Sequence, residues 1–442
     1  MSLRVVAPRP GAKSEPVSAR LIKTLIHTNR QAVIGTVFFA PDGKWIAGCG
    51  LYGSGGIEIW DAATGKQLRN IPFPEDYLSQ YEPLPEPPDG HTLYVPIQRD
   101  RSTRITKNGH PTMRREVDGE IQVWDLATGR KLPPLRRSPP CGVLDLALSS
   151  DGNWLAAVER RVNDEGNHIK DVLTLWDLRT QTARDLAEGR RHVVPSFAPD
   201  GKIVAAPFLD SDTQHSALAL WDVASGKGRT ILHSGLDYYG VPIFSPDGRY
   251  VVVNMGMPKG RPEEVKLWEV ATGKEIGAFT APEGLGFHRL AFSPDGRRLA
   301  APTPEGGKVF LYDAQARKLL WVRDLGKQVM LRDPVFSPDG KWLAVPGQPL
   351  PEGLRHILRE NPLELPQPRV YLFDLAADSK PDVLVAPHGF VGRATFSRDG
   401  RKLALGGYGC VWLFDMSKAP NLRRGSALQI RGPFLPLAVK IK

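Results

Sequence analysis

The chain has 442 residues, a formal net charge of +10 and a sequence pI of about 9.4; 41 % of its residues are hydrophobic, and it carries 44 Gly and 40 Pro. That apolar content is ample for a core and argues against disorder, while no run approaches the 18 apolar residues of a membrane-spanning helix. Three cysteines, Cys49, Cys141 and Cys410, are odd in number and far apart. No pair has zinc-finger spacing, and the pattern argues against a disulfide framework and predicts buried free thiols.

Residues 1–19 hold Pro8, Pro10 and Pro16 with little pattern and read as a loose arm. No apolar signal-peptide core is visible there, so a cytoplasmic setting is expected. Next comes an isolated strand, Leu21–Ile26. From there to residue 417 the chain is a repeat. Its clearest copy is VPIFSPDGRYVVVNMGMPKGRPEEVKLWEVATGKEIGAF, Val241 to Phe279. Short β-branched and aromatic runs bounded by Gly, Pro and Asp predict strands at about Val241–Phe244, Arg249–Asn254, Val265–Glu269 and Glu275–Phe279. The landmarks are an Asp-Gly turn and, after it, an aromatic residue followed by an acid.

The turn Asp recurs at Asp42, Asp89, Asp151, Asp200, Asp247, Asp295, Asp339 and Asp399. Each is followed by its pair: Trp60-Asp61, Trp124-Asp125, Trp176-Asp177, Trp221-Asp222, Trp268-Glu269, Tyr312-Asp313, Phe373-Asp374 and Phe414-Asp415. Successive turns are 47, 62, 49, 47, 48, 44 and 60 residues apart. One four-stranded unit is marginal alone, and stacking copies face to face buries both of its sides. Unit two is the weakest, because Pro83, Pro85, Pro87 and Pro88 remove hydrogen-bond donors from its first strand. Insertions lie between the second and third strands of unit two (Gln98 to Val117), unit three (Glu159 to Asp171) and unit seven (Pro346 to Arg369). In the last, Leu354, Ile357 and Leu358 suggest a helical turn.

The segments FAPDGKWIAG…IEIWDAATGK and FSPDGRYVVV…VKLWEVATGK resemble the WD-repeat family, over about Ile22 to Asp415. The resemblance implies an all-β fold, a closed β-propeller of eight four-stranded blades, and a non-catalytic scaffold. Seven blades with unit two displaced is the alternative. The family often carries a His before the first strand that joins a hydrogen-bond network with the repeated aromatic. His27 and His233 stand at that offset here, and the other units lack one, so a partial network is expected. The usual Asp before the third strand is convincing at Asp118. By register, Leu21–Ile26 is placed as the missing outer strand of the last blade, closing the ring. The segment Ala427–Arg431 of the 418–442 tail is the competing choice.

Motifs for chemistry are absent or explained by turns. Thr64-Gly65-Lys66, Ser225-Gly226-Lys227 and Thr272-Gly273-Lys274 mimic the end of a phosphate loop, but lack its upstream Gly and following helix. Asp210-Ser211-Asp212 starts like a calcium loop, yet His215 and Trp221 stand where Gly and Glu are needed. No cofactor, metal or catalytic constellation is expected, and the chain is not expected to be an enzyme. The expected role is a monomeric scaffold for one or more protein partners, acidic ones being suited to its charge. Nucleic-acid or polyanion binding is the first alternative, an enzyme in the propeller channel the second, and no membrane association is expected. Loops joining second to third strands share a face with the inter-blade loops in this family's propeller, so all three insertions should crowd one face. The candidate contact residues there are Arg99, Arg101, Arg104, Arg114, Arg115, Arg136, Arg137, Arg160, Arg161, Arg190, Arg191, Tyr238 and Tyr239.

Overall fold

The computed structural model describes residues 21–29, 32–51, 56–73, 84–107, 110–138, 141–162, 168–189, 194–209, 216–234, 240–255, 264–280, 286–287, 289–350, 366–377, 380–387, 389 and 391–417. These form eight antiparallel sheets in chain order. Blade 5 shows the pattern: Ile243–Phe244, Tyr250–Met255, Glu264–Glu269 and Glu275–Thr280, each paired with the next. The strand bounds differ from the sequence reading by one or two residues. The first strand is the shortest because the ladder ends where Pro242 has no N–H to give.

Every turn Asp accepts the amide of the residue two positions on, at 2.7–3.1 Å. In five units a Ser two positions before that Asp donates its hydroxyl to the same carboxylate: Ser149, Ser245, Ser293, Ser337 and Ser397. The same hydroxyl accepts the amide of the residue that opens the second strand. The phrase Ser-x-Asp-Gly, with Pro at x in three of the five, is thus a closed local network that sets the hairpin without long-range contacts.

Eight hydrophobic clusters lie between the blades, one at each junction. The cluster of Phe38, Ile59 and Leu93 joins blades 1 and 2, and that of Val123, Leu155 and Trp176 joins blades 2 and 3. Others follow at the next five junctions. The eighth, with Ile34, Trp60 and Leu413, joins blade 8 back to blade 1. A linear stack of eight would have seven junctions, so the ring is closed. Each repeated aromatic packs into the junction with the preceding blade. Trp60, Trp176, Trp221 and Trp268 are 1 %, 3 %, 5 % and 0 % exposed. Trp124, which would lie outside a seven-bladed ring, packs in the blade 1–blade 2 cluster. The molecule is an all-β, eight-bladed propeller.

Leu21–Ile26 pairs antiparallel with Cys410–Asp415, from Leu21 opposite Phe414 to Ile26 opposite Cys410. It is the outer strand of blade 8, and the N-terminal strand closes the ring. Leu25 anchors it, 2 % exposed in the cluster of Trp60 and Leu413. The segment Ala427–Arg431 lies outside the described residues.

Two blades depart from the pattern. Blade 2 has three described strands, Thr92–Lys107, His110–Asp125 and Arg130–Leu135. In place of a first strand, Leu84 is buried in the blade 1–blade 2 cluster and its amide is given to the Thr36 hydroxyl at 3.1 Å. In blade 7 the first strand is split into Val329–Leu331 and Val335–Phe336, both pairing Trp342–Pro349. Pro334 lies in the break and cannot donate to the ladder. All three cysteines are buried free thiols.

Candidate interaction face

Strand direction fixes which loops lie together. With four antiparallel strands per blade, the Asp-Gly turns and the turns after the third strand fall on one face. The second-to-third connections and the inter-blade connections fall on the other. All three insertions therefore open on the same face.

The blade 2 insertion is a ribbon rather than a loop. Its two strands pair without a break in register from Thr92 opposite Asp125 to Lys107 opposite His110. The outer strand pairs no further than Ile121, so the ribbon runs on for about ten residue pairs beyond the blade, roughly 30 Å. Arg99 lies opposite Asp118, Arg101 opposite Glu116, Ser102 opposite Arg115, Thr103 opposite Arg114 and Arg104 opposite Met113. The side chains of residues 98–118 lie outside the described ones, so the part expected of Asp118 in the network does too. At the ribbon's base Gly119 allows close passage of blade 3: a Cβ there would stand 2.3 Å from the Cys141 carbonyl oxygen.

Arg136 and Arg137 follow the outer strand of blade 2, and Arg160 and Arg161 end the second strand of blade 3, Trp154–Val162. All four lie on the insertion face, and each meets a carboxylate. Arg136 gives Nε and Nη2 to Glu120 Oε2 at 2.8 and 2.6 Å. Glu120 is 4 % exposed and also accepts the Gln122 amide, whose oxygen in turn accepts the Trp124 indole N–H. Burial pushes the Glu120 carboxyl up, but the Gln122 and Arg136 hydrogen bonds outweigh it and hold the group below its ordinary range. Arg137 spans two acids, Glu159 at 3.3 Å and Asp185 at 2.7 Å. Arg161 takes the other Asp185 oxygen at 2.5 Å, and Arg160 meets Asp171 at 3.2 Å. Burial raises the Glu159 carboxyl, against the pull of Arg137. Burial and then Glu159 raise the neighbouring Cys141 thiol, so no reactive thiolate forms there.

Arg190, Arg191, Tyr238 and Tyr239 lie outside the described residues, as do Leu354, Ile357 and Leu358. Sequence reasoning named the arginines and passed over Glu120 and Asp185, which organise them. A signal for Glu120 was present, since an acid two positions before Gln122 on a strand shares its side.

Of the two expected network histidines, His27 is described. It is fully buried, its ring edge-on to Trp60 with centroids 6.5 Å apart and Nδ1 3.9 Å from Glu58 Oε1. Burial lowers its proton affinity, against the attraction of Glu58. His233 pairs Ala217 in the ladder of blade 4, and its side chain is outside the described ones.

Among the described residues no group of three or more His, Cys, Asp and Glu is placed to hold a metal ion. No described helix is long and apolar enough to cross a membrane. A scan against protein-family models finds no match for the chain, and a search of curated proteins finds none either.

Proposed function

We propose that the chain is a WD-repeat protein whose propeller serves as a non-catalytic platform for protein partners, gripped through the insertion face. One observation carries this reading: three insertions open on one face, and that of blade 2 is a two-stranded ribbon standing about 30 Å off the ring. A two-stranded ribbon alone is marginally stable in water and leaves its edges open to a third strand. A partner that adds a strand or clasps the ribbon would supply what it lacks. Polyanion binding is the weaker reading, because Arg136, Arg137, Arg160 and Arg161 already meet carboxylates. Three buried thiols fit a reducing, cytoplasmic setting.

The test replaces Arg99–Asp118 by an Asn-Gly turn, which keeps Gln98 opposite Gly119 and closes the hairpin at the blade. The tagged protein and this variant are used to capture partners from extract with and without nuclease treatment. Specific partners should be retained by the full chain and lost from the variant, with an unchanged melting temperature. Equal capture by both would overturn the reading, and capture that disappears on nuclease treatment would favour the polyanion alternative.

A further inference from the structure

The repeat allows one structural position to be compared around the ring. Six residues before the turn Asp stand Thr36, Asp145, Arg289, Asp333 and Arg393 in blades 1, 3, 6, 7 and 8, and Val194 and Val241 in blades 4 and 5. First strands surround the centre of a propeller, and this position lies toward the insertion face. In blades 6 to 8 the position is occupied Arg, Asp, Arg. Arg393 Nε is 2.6 Å from Asp333 Oδ2, and Arg289 Nε is 3.4 Å from the same oxygen. Three successive blades thus send one charged group each to a single point. Their side chains are 23 %, 18 % and 35 % exposed for Arg289, Asp333 and Arg393, so the cluster is sheltered but reachable.

The Asp333 carboxylate meets both guanidiniums, so these three groups together carry a net positive charge. Burial, and then repulsion from Arg393, pull the proton affinity of Arg289 down to about 10 against the attraction of Asp333. A partly desolvated pair of guanidinium forks favours a planar or tetrahedral oxyanion, which it can grip with several parallel hydrogen bonds. We propose that Arg289 and Arg393 form an oxyanion-binding site at the centre of the ring, for a phosphate or carboxylate group, with Asp333 as the resident counter-charge that such a group competes with. The site is separate from the ribbon and does not rest on the partner reading.

The competition gives the test its sign. Inorganic phosphate and acetate are titrated calorimetrically into the full chain, with sodium chloride held constant. One or both should bind saturably at one site, and the preferred ion tells a phosphate ligand from a carboxylate. Arg393→Gln should weaken that binding at least tenfold. Asp333→Asn should strengthen it at least threefold, because the competing charge is gone. Lys341→Gln, 71 % exposed on the opposite face, should leave it unchanged. If Asp333→Asn does not fold, Arg393→Lys replaces it: that variant keeps the charge, loses the fork and should weaken binding. No binding of either ion, or equal binding by all variants, overturns the proposal. So does weaker binding by Asp333→Asn, which would make the cluster only a brace between blades.

Discussion

Trp268 is fully buried between blades 4 and 5, packed with Phe244, Val251 and Val253. Its counterparts, Trp at four of the other junctions and Tyr312, Phe373 and Phe414 at the remaining three, repeat that placement, so a single aromatic supplies a large share of each interface. Removing it leaves a cavity that two sheets, each held by its own ladder, cannot collapse to fill. Trp268→Ala should therefore cost about 3–5 kcal/mol, read as a lower denaturant midpoint at unchanged slope. A wild-type midpoint would mean that the aromatic is not a structural part of the junction. The turn after the aromatic-acid pair shows how the residue scale tolerates drift. Gly65, Gly129, Gly226 and Gly273 hold φ of 69° to 74° there, while Gln181 and Arg317 adopt φ 56° at the same place. Those two side chains accept a backbone region that L-residues seldom occupy, and the turn persists because the preceding acid still caps it, through Asp177 to the Arg179 amide and Asp313 to the Ala316 amide.

At the scale of elements, the N-terminal strand does what no other strand does. Seven junctions join blades linked by the chain itself, and the outer edge of blade 8 is covered by Leu21–Ile26 from the far end of the sequence. Without it Cys410–Asp415 would present an open and largely apolar edge. Deleting residues 1–28 should lower the melting temperature sharply and promote aggregation, and a synthetic peptide of residues 20–28 should restore part of the loss. A truncated chain that melts like the parent would show that the seam holds without its strand. That closure was legible beforehand because the spacing of Ile26 from Asp42 matches that of Phe279 from Asp295. The eight blades were legible for a related reason: hairpins encoded within ten residues leave a local signature. The ribbon was less so. Between Gln98 and Val117 charged and polar residues predominate and the few apolar ones make no face, which reads as a loop, and pairing with each other gives the strands their form. The bridge from Arg137 to Glu159 and Asp185 was hidden because its members come from neighbouring blades and meet only once the ring is built.

For the whole molecule, closure turns a formal charge of +10 into a question of distribution. Charge that is matched inside the ring contributes to architecture, and only the remainder is available to steer a partner. On the insertion face the two kinds sit side by side. Arg136 and Arg137 face Glu120 and Glu159, which are 4 % and 0 % exposed, so these arginines hold buried carboxylates in place. Reversing them to Glu would set like charges against buried acids and remove the partners that offset the burial of those carboxylates. The Arg136→Glu, Arg137→Glu double variant should therefore melt well below the parent. Loss of binding in that variant would report instability rather than recognition. Arg99, Arg101, Arg104, Arg114 and Arg115 are in a different position, on a ribbon that extends past the blade. Replacing these five by Gln should leave the melt unchanged, since no blade junction is touched. If the ribbon greets an acidic partner, the same change should weaken capture and flatten its dependence on salt, because fewer charges remain to be screened. The two variants must then separate: one loses stability, the other loses binding. A ribbon variant that captures as well as the parent at every salt concentration would remove charge from the description of this face, leaving strand addition by the backbone as its means of recognition.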